Sequence, residues 1–226
     1  PLQRMLPQGL PDIDERQETI ESLEVYGKEA IPILQKVLRN DENERVRWKA
    51  VKSLINIGKE AASALIMAVG NEYKIVRKEA VQALGDLQIK NDAAMSVLLE
   101  ALFDKDPEVR NEAVKALGEL EVESKNILSV LFTKMGDSSF RVRFTTERII
   151  NKLYNQDLLY LFKNALQNKD QQIKRAAVDT LKYVNLNKGR IIPILKQLLN
   201  NGKLEIQKSA IAALSKLGND GLPVLF

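Results

Sequence analysis

The sequence predicts an all-α solenoid built from about six to seven helical hairpins laid end to end. One observation behind this prediction is a turn followed by an amphipathic helix at residues 104–120, DKDPEVRNEAVKALGEL, which recurs along most of the chain. A second observation is that successive copies lie 30 to 33 residues apart. Self-similarity at such a period is typical of a solenoid, in which each unit buries its apolar face only against its neighbours.

The copies align on a basic or polar residue followed by apolar residues at helical spacing. Within residues 104–120 the pattern consists of Val109, Arg110, Ala113, Val114 and Leu117. Close copies occur at Val46, Arg47, Ala50, Val51 and Leu54, and at Val76, Arg77, Ala80, Val81 and Leu84. Weaker copies are centred on Arg16, Arg143, Lys174 and Gln207. Because residues three and four apart share one face of a helix, each copy is predicted to be an amphipathic helix.

A further apolar helix precedes most copies, so each complete repeat is predicted to be a hairpin of a first and a second helix. The first helices are predicted at residues 28–38, 61–69, 93–103, 127–135, 158–166 and 191–199. Gly27, Gly58 and Gly218 follow second helices, where a left-handed glycine satisfies the last carbonyl groups at little steric cost. Pro32 and Pro193 fall early in first helices, where a missing N–H costs least.

The repeats extend along the whole chain, and we expect residues 1–226 to form a single solenoid. A terminal repeat usually covers the core with a polar face, whereas the last residues here are apolar: Leu222, Val224, Leu225 and Phe226. We therefore expect a fragment of a longer repeat protein, with a truncated repeat at each end. An apolar end of this kind also favours end-to-end self-association.

Composition narrows the class of protein further. The chain has 226 residues, 45% of them hydrophobic and 28% charged, which is enough to bury a substantial core. The longest uncharged run, residues 61–71, is far shorter than the ~20 apolar residues that span a bilayer. The sequence contains no Cys, and no signal peptide precedes the repeats. We expect a cytoplasmic protein.

The absence of His and Cys removes most catalytic chemistry. Without His there can be no Ser–His–Asp triad, no His-ligated metal and no His general base. Without Cys there can be no thiol nucleophile and no thiolate metal site. The sequence therefore predicts a non-enzymatic protein with no catalytic residues, no metal site and no cofactor.

The pattern D-x-x-x-x-V-R-x-x-A-V-x-x-L-G at residues 104–118 resembles the HEAT repeat, in particular the short kind found in phycobilisome lyases. The resemblance covers essentially the whole chain and implies a right-handed α–α superhelix. It says little about function, because the family consists mostly of adaptors and scaffolds with a minority of enzymes. HEAT-like iron hydroxylases are excluded, since they require paired His–Glu motifs.

An arginine in each of several repeats lies six residues after an Asp or Asn in the preceding turn. The HEAT resemblance implies that these residues form a structural ladder. The Asp and Asn side chains would cap helix starts and pair with an arginine of the same or the adjacent unit. The ladder residues, each Asp or Asn followed six residues later by its arginine, are Asp41 and Arg47, Asn71 and Arg77, Asp104 and Arg110, and Asp137 and Arg143.

Two positions of each second helix point away from its apolar face, and HEAT resemblance implies that they line the concave groove. Read through the repeats, they form an interrupted basic ridge with two aromatic residues. We expect partner binding at Trp48, Lys52, Lys78, Lys115, Phe144, Arg148, Arg175 and Lys208. The alternative is a solvated helix face that happens to be rich in lysine.

Charge is divided unequally along the chain. Residues 1–123 contain 17 Lys plus Arg and 23 Asp plus Glu, whereas residues 124–226 contain 17 and 7, so the two parts carry net charges of -6 and +10. A basic half suits an acidic protein segment or phosphate groups.

We therefore predict a protein-interaction scaffold that binds an acidic protein partner, with no membrane partner. The first alternative is nucleic-acid binding through the same ridge. This alternative includes a role like that of HEAT-like DNA glycosylases, for which Trp48, Phe144 and Asp179 are the candidate residues. A further alternative is a protein related to bilin lyases, a family association for which no chemical group maps onto a residue of this chain.

Overall fold

The computed structural model describes residues 12–121, 125–154, 165, 177, 188–201 and 204–225. Over these ranges the regular structure is entirely helical, which confirms the predicted all-α solenoid fold class. The chain divides into two compact units, residues 1–121 and residues 122–226. Nowhere in the described ranges is a helix both long and apolar enough to cross a membrane.

The first unit alternates second and first helices of successive hairpins. Its α-helices are α1 (Ile13–Ser22), α2 (Ile31–Asn40), α3 (Glu44–Ile57), α4 (Ala62–Ala68), α5 (Lys74–Asp86), α6 (Asp92–Ala101) and α7 (Pro107–Glu119). Short 3-10 segments, Leu23–Ala30 and Lys59–Ala61, lead into α2 and α4. Helices α2, α4 and α6 are first helices, whereas α1, α3, α5 and α7 are second helices.

The helices of this unit form two layers. Each second helix packs against the next one, from α1 through α3 and α5 to α7, while α2, α4 and α6 pack against one another over fewer residues. Leucines from both layers meet between them and are fully buried, as expected from the apolar spacing: Leu34, Leu54, Leu65, Leu84, Leu98 and Leu117. Helix starts are fixed by side chains such as Asn43, which accepts a hydrogen bond from the backbone N–H of Arg45 at 2.9 Å, as an N-cap residue should.

The second unit contains α8 (Lys125–Lys134), α9 (Phe140–Tyr154), α10 (Lys188–Asn201) and α11 (Leu204–Lys216), followed by 3-10 segments Gly218–Asp220 and Leu222–Val224. Helix α8 packs against α9, and α10 packs against α11. The buried residues again follow helical spacing: Leu131, Phe132, Val142, Ile150, Ile191, Leu195, Ile206, Ala210 and Leu214. The predicted first helix at 158–166 and the repeat centred on Lys174 lie almost entirely outside the described residues.

Second helices end on a residue in the left-handed region at intervals that match the repeat. Gly27, Gly58 and Gly218 have φ of 51°, 93° and 61°, as their positions after second helices predict. At the corresponding positions of two further repeats stand Gln88 (φ 54°) and Glu121 (φ 51°). A left-handed backbone strains residues that carry a Cβ. The repeat nevertheless keeps this conformation at Gln88 and Glu121, where glycine is absent.

Replacing Gly58 by alanine should destabilise the fold by about 1–2 kcal/mol, because its φ of 93° and ψ of -148° lie in a region open essentially only to glycine. The measurement is the free energy of unfolding from urea denaturation. Gly70→Ala is the matched control, since Gly70 does not have a positive φ and the nearest atom to an added Cβ, the Met67 carbonyl oxygen, is 3.7 Å away. Equal losses in both variants would show that backbone strain at Gly58 is not the cause.

Candidate functional site

The arginine ladder ties the turn of one repeat to the turn of the next. Arg77 donates from Nε to Asp104 Oδ2 at 2.7 Å and from Nη2 to Oδ1 at 2.9 Å, a bidentate pair with the turn one repeat ahead. Both side chains are largely buried, at 7% and 12% exposure. An ion pair in the same direction joins Arg16 Nη1 to Asp41 Oδ2 at 3.4 Å. Each pair fixes the position of one hairpin on its neighbour.

The ladder arginines also close the turns that precede their own helices. In every case the acceptors are backbone carbonyl oxygens five or six residues earlier, which would otherwise have no helical partner. The bonds join Arg47 Nε to Asp41, Arg77 Nη1 to Asn71 (3.0 Å) and Glu72 (2.8 Å), Arg110 Nη1 to Asp104 (2.9 Å) and Lys105 (3.2 Å), and Arg143 Nη1 to Asp137 (2.7 Å) and Ser138 (3.1 Å).

Arg47 makes a different forward contact because the next turn begins with Asn71 instead of an aspartate. Its Nη1 lies 2.9 Å from Oε1 of Glu72, and its guanidinium carbon lies 5.0 Å from the centroid of the Tyr73 ring. Asn71 instead donates from Nδ2 to the Leu38 carbonyl oxygen at 3.1 Å. Glu72, Tyr73 and Asn71 therefore connect this turn to the preceding repeat in place of an aspartate.

The capping role implied for the turn Asp and Asn side chains needs correction. Their Oδ1 atoms accept from the backbone N–H two residues later, which forms a turn in front of the helix. These bonds run from Asn43 to Asp41 (2.9 Å), Tyr73 to Asn71 (3.1 Å), Asp106 to Asp104 (2.8 Å) and Ser139 to Asp137 (2.9 Å). In two repeats the helix cap is the residue two positions on, Asn43 or Asp106.

The surroundings of Asp104 stabilise its ionised form. Burial of the carboxylate by itself raises the pKa of Asp104, but hydrogen bonds from Arg77 and from the Asp106 backbone N–H, with the Arg77 charge, outweigh it and hold the pKa below its usual value. The pair is thus ionised at neutral pH.

In the first unit, the lysines of the predicted ridge are all paired with glutamates. Lys52 bonds to Glu79 on the next second helix, and Lys78 Nζ lies 3.7 Å from Oε2 of Glu108 in the same way. Further along the ridge, the exposed Lys115 reaches Glu112 at 2.9 Å within α7. Sequence reasoning missed these acids, although Glu79 and Glu112 occupy equivalent positions one repeat apart. The ridge charge in this unit is therefore compensated.

Trp48 lies partly buried on α3. Lys52 Nζ is 5.6 Å from the centroid of its ring, within the range of a cation–π contact. Its indole N–H is shielded from solvent and has no hydrogen-bond acceptor. The ring therefore has one lysine beside it, and its indole N–H is not accessible for a hydrogen bond from outside.

In the second unit, helix α9 carries an exposed aromatic pair. The rings of Phe140 and Phe144 are stacked, with centroids 6.1 Å apart and an angle of 21° between the planes, although 71% and 50% of the two residues are exposed. The guanidinium carbon of Arg143 lies 5.7 Å from the centroid of Phe140. The exposed Arg141 and Arg148 have no acidic partner in the part of the chain that the structure describes.

Of the remaining ridge residues, the structure describes one and does not describe the other. Lys208 is exposed on α11, whereas Arg175 lies outside the described residues, as does Asp179, the candidate for base chemistry. In the described ranges no three acidic side chains are grouped in a way that could hold a metal ion. The structure thus stacks Phe144 on Phe140, on the helix that also carries Arg141 and Arg148, and it places Trp48 beside Lys52.

Comparisons with known proteins identify the repeat. A family model described as HEAT repeats matches residues 4–85, 64–128 and 95–182. A search of curated protein sequences gives no match.

Among solved structures, the complex of CpcE and CpcF of phycocyanin lyase from Nostoc sp. is similar, with a TM-score of 0.52 and 18% identity over 97% of this chain and 90% of that chain. Human deoxyhypusine hydroxylase has a TM-score of 0.48 and 17% identity over 89% of this chain and 78% of that one. A designed armadillo repeat protein has a TM-score of 0.41 and 22% identity over 83% and 100%. At these identities the likeness to the lyase complex concerns the fold alone.

Removing the charge of Asp104 should destabilise the fold at neutral pH and have little effect in acid. The pKa of Asp104 is depressed in the folded state, so its carboxylate stabilises the protein above its unfolded pKa of about 3.9, and this contribution disappears as pH falls through the lower folded value. Asp104→Asn should cost about 1–2 kcal/mol at pH 7 because the charged hydrogen bonds to Arg77 are weakened.

Urea denaturation of the protein and of this variant across the acidic and neutral range measures the difference. Glu100→Gln, at an exposed position of α6, controls for the loss of one negative charge. A difference between Asp104→Asn and the unmutated protein that stays constant down to pH 2 would contradict the ionised pair.

Proposed function

The chain belongs to the HEAT-repeat family, and from that premise we propose that it is a non-enzymatic interaction module which binds an acidic protein partner through its second helices. The observation that carries this proposal is the stacked, exposed pair Phe140 and Phe144 beside two arginines on α9. Large exposed aromatic residues in a soluble repeat unit are a common mark of an interaction site.

The chemistry of α9 defines what such a partner would carry. Phe140, Phe144 and Arg148 follow one another at intervals of four residues, so they line one face of the helix, and Arg141 lies three residues before Phe144. The aromatic rings provide apolar area to bury, and their stacking limits the side-chain entropy lost on binding. A matching segment has carboxylates next to apolar side chains.

The state of the arginines favours binding at this helix over the first unit. Arg141 and Arg148 have no intramolecular ion pair within the described ranges that a partner would have to break. Lys52, Lys78 and Lys115 already form ion pairs with glutamates. Contacts with these lysines therefore add less binding free energy for an acidic partner. We therefore place the principal anchor on α9.

Nucleic acid is a weaker fit for the same residues. A platform for single strands presents aromatic rings to successive bases, whereas the Phe140 ring already stacks on Phe144 and has the Arg143 guanidinium close to it. No chemical group of the bilin lyases maps onto a residue of this chain, and Asp179, the candidate for glycosylase chemistry, lies outside the described residues.

Phe144→Ala should weaken binding of an acidic, leucine- and phenylalanine-containing peptide by about tenfold, because truncating an aromatic anchor typically costs more than 1 kcal/mol. Fluorescence anisotropy of the labelled peptide measures the dissociation constant. Phe103→Ala is the matched control, since Phe103 is also an exposed phenylalanine, in the turn after α6.

Arg148→Glu should weaken binding of the same peptide by a similar factor. Lys196→Glu makes the same charge change at an exposed position of α10 and should have little effect on binding. A peptide with Gln in place of Glu should bind poorly to all variants. Equal losses for both charge reversals, or tighter and steeply salt-dependent binding of a single-stranded oligonucleotide, would favour the nucleic-acid alternative.

A further inference from the structure

The first unit contains a cavity of about 280 Å³ beside the turn that joins α4 to α5. Its charged lining residues are Arg39 in the last turn of α2, Arg47 on α3, and Glu72 in the turn itself. Met67, in the last turn of α4, is half-buried and contributes apolar surface to the lining. Two positive charges against one negative charge favour an anionic group in this cavity.

The cavity lies where one rung of the arginine ladder differs from the next. In the following repeat, the carboxylate of Asp104 accepts from both Nε and Nη2 of Arg77, at 2.7 and 2.9 Å. The turn ahead of Arg47 begins with Asn71, whose Nδ2 donates to the Leu38 carbonyl oxygen instead. Arg47 therefore has no buried carboxylate of the kind that Arg77 binds.

The nitrogens of Arg47 are only partly used. Nε donates to the Asp41 carbonyl oxygen, Nη1 lies 2.9 Å from Oε1 of Glu72, and Nη2 has no hydrogen bond to any described residue. The Arg47 side chain is 10% exposed, whereas that of Glu72 is 64% exposed. An exposed carboxylate adds little stability to an ion pair, because water competes with it and its side chain loses entropy. A second carboxylate can therefore replace Glu72 at small cost.

Arg39 supplies the other positive charge. Its Nε donates to Sδ of Met67 at 3.1 Å, and a thioether sulfur is a weak acceptor. Arg39 is exposed, and no acidic residue in the described ranges forms an ion pair with it. Two guanidinium groups with donors to spare thus line the same cavity as an apolar methionine.

We propose that this cavity binds the carboxylate of a small ligand that carries a short apolar chain. The carboxylate accepts hydrogen bonds from Arg39 and from Nη2 of Arg47, and so takes the role that Asp104 has at Arg77. The apolar chain lies against Met67.

The size of the cavity limits the ligand. Its volume of about 280 Å³ is at the lower limit of the ~300–1,000 Å³ found for pockets that hold drug-sized molecules. The ligand is therefore about as large as one amino-acid residue, either a free short-chain acid or the C-terminal residue of a peptide. All lining residues belong to the first unit, so this inference does not rest on the proposed role of α9.

The methyl signal of Met67 in the NMR spectrum of the full chain, labelled with isotope at its methionine methyl groups, provides the test. N-acetylleucine and hexanoate, titrated separately at neutral pH, should each shift this signal, with a dissociation constant on the order of 1 mM for ligands of this size. The uncharged N-acetylleucinamide should not shift it. The signal of Met95, which is half-buried on α6 and does not line the cavity, is the internal control. Met67→Leu assigns the signal.

Charge changes at the cavity test the roles of the two arginines. Arg39→Gln should weaken binding of N-acetylleucine about tenfold, whereas Arg45→Gln, the same change at an exposed position of α3, should have little effect. Glu72→Gln should strengthen binding about threefold or more, because it removes the carboxylate that competes for Arg47. Glu100→Gln is its control. Thermal melting should show that every variant folds.

The outcomes separate the two sources of the carboxylate. Tighter binding of N-acetylleucine than of hexanoate would identify a peptide C-terminus, and the reverse order would identify a free short-chain acid. The proposal is overturned if neither acid shifts the Met67 signal, or if N-acetylleucinamide shifts it equally. Unchanged binding to Arg39→Gln or weaker binding to Glu72→Gln would also overturn it, as would inorganic phosphate that binds more tightly than both acids.

Discussion

The bond between Arg77 and the next turn is the constraint on which the stacking of the first unit depends. One guanidinium closes its own turn through two carbonyl groups and pairs with Asp104 of the following repeat. Apolar burial alone would let one hairpin slide or rotate on the next, since hydrophobic contact is not directional. A buried bidentate pair has fixed geometry, so it sets which residues of α5 meet which residues of α7.

That register determines the charge on the second-helix layer. Lys52 and Lys78 form ion pairs with glutamates on the adjacent second helix, so their positive charges are neutralised within this layer. Helix α9 is different, because Phe140 and Phe144 occupy the positions of Lys74 and Lys78. An aromatic pair cannot neutralise acids on a neighbour, and it leaves apolar area exposed. The same repeat position therefore joins neighbouring helices in the first unit and carries exposed aromatic rings in the second.

The amino-acid pattern was enough to predict the repeat, the helical class, the alternation of first and second helices, and the turns that carry the arginines. Periodicity and turn chemistry are local properties, so the roles of residues such as Val109 and Gly58 can be predicted from their neighbours in the sequence. Three contacts became known only from the packed helices. Arg77 of the preceding repeat binds Asp104, Asp106 rather than Asp104 caps α7, and Glu108 neutralises Lys78. These outcomes depend on the distance and rotation between packed helices, which no single repeat contains.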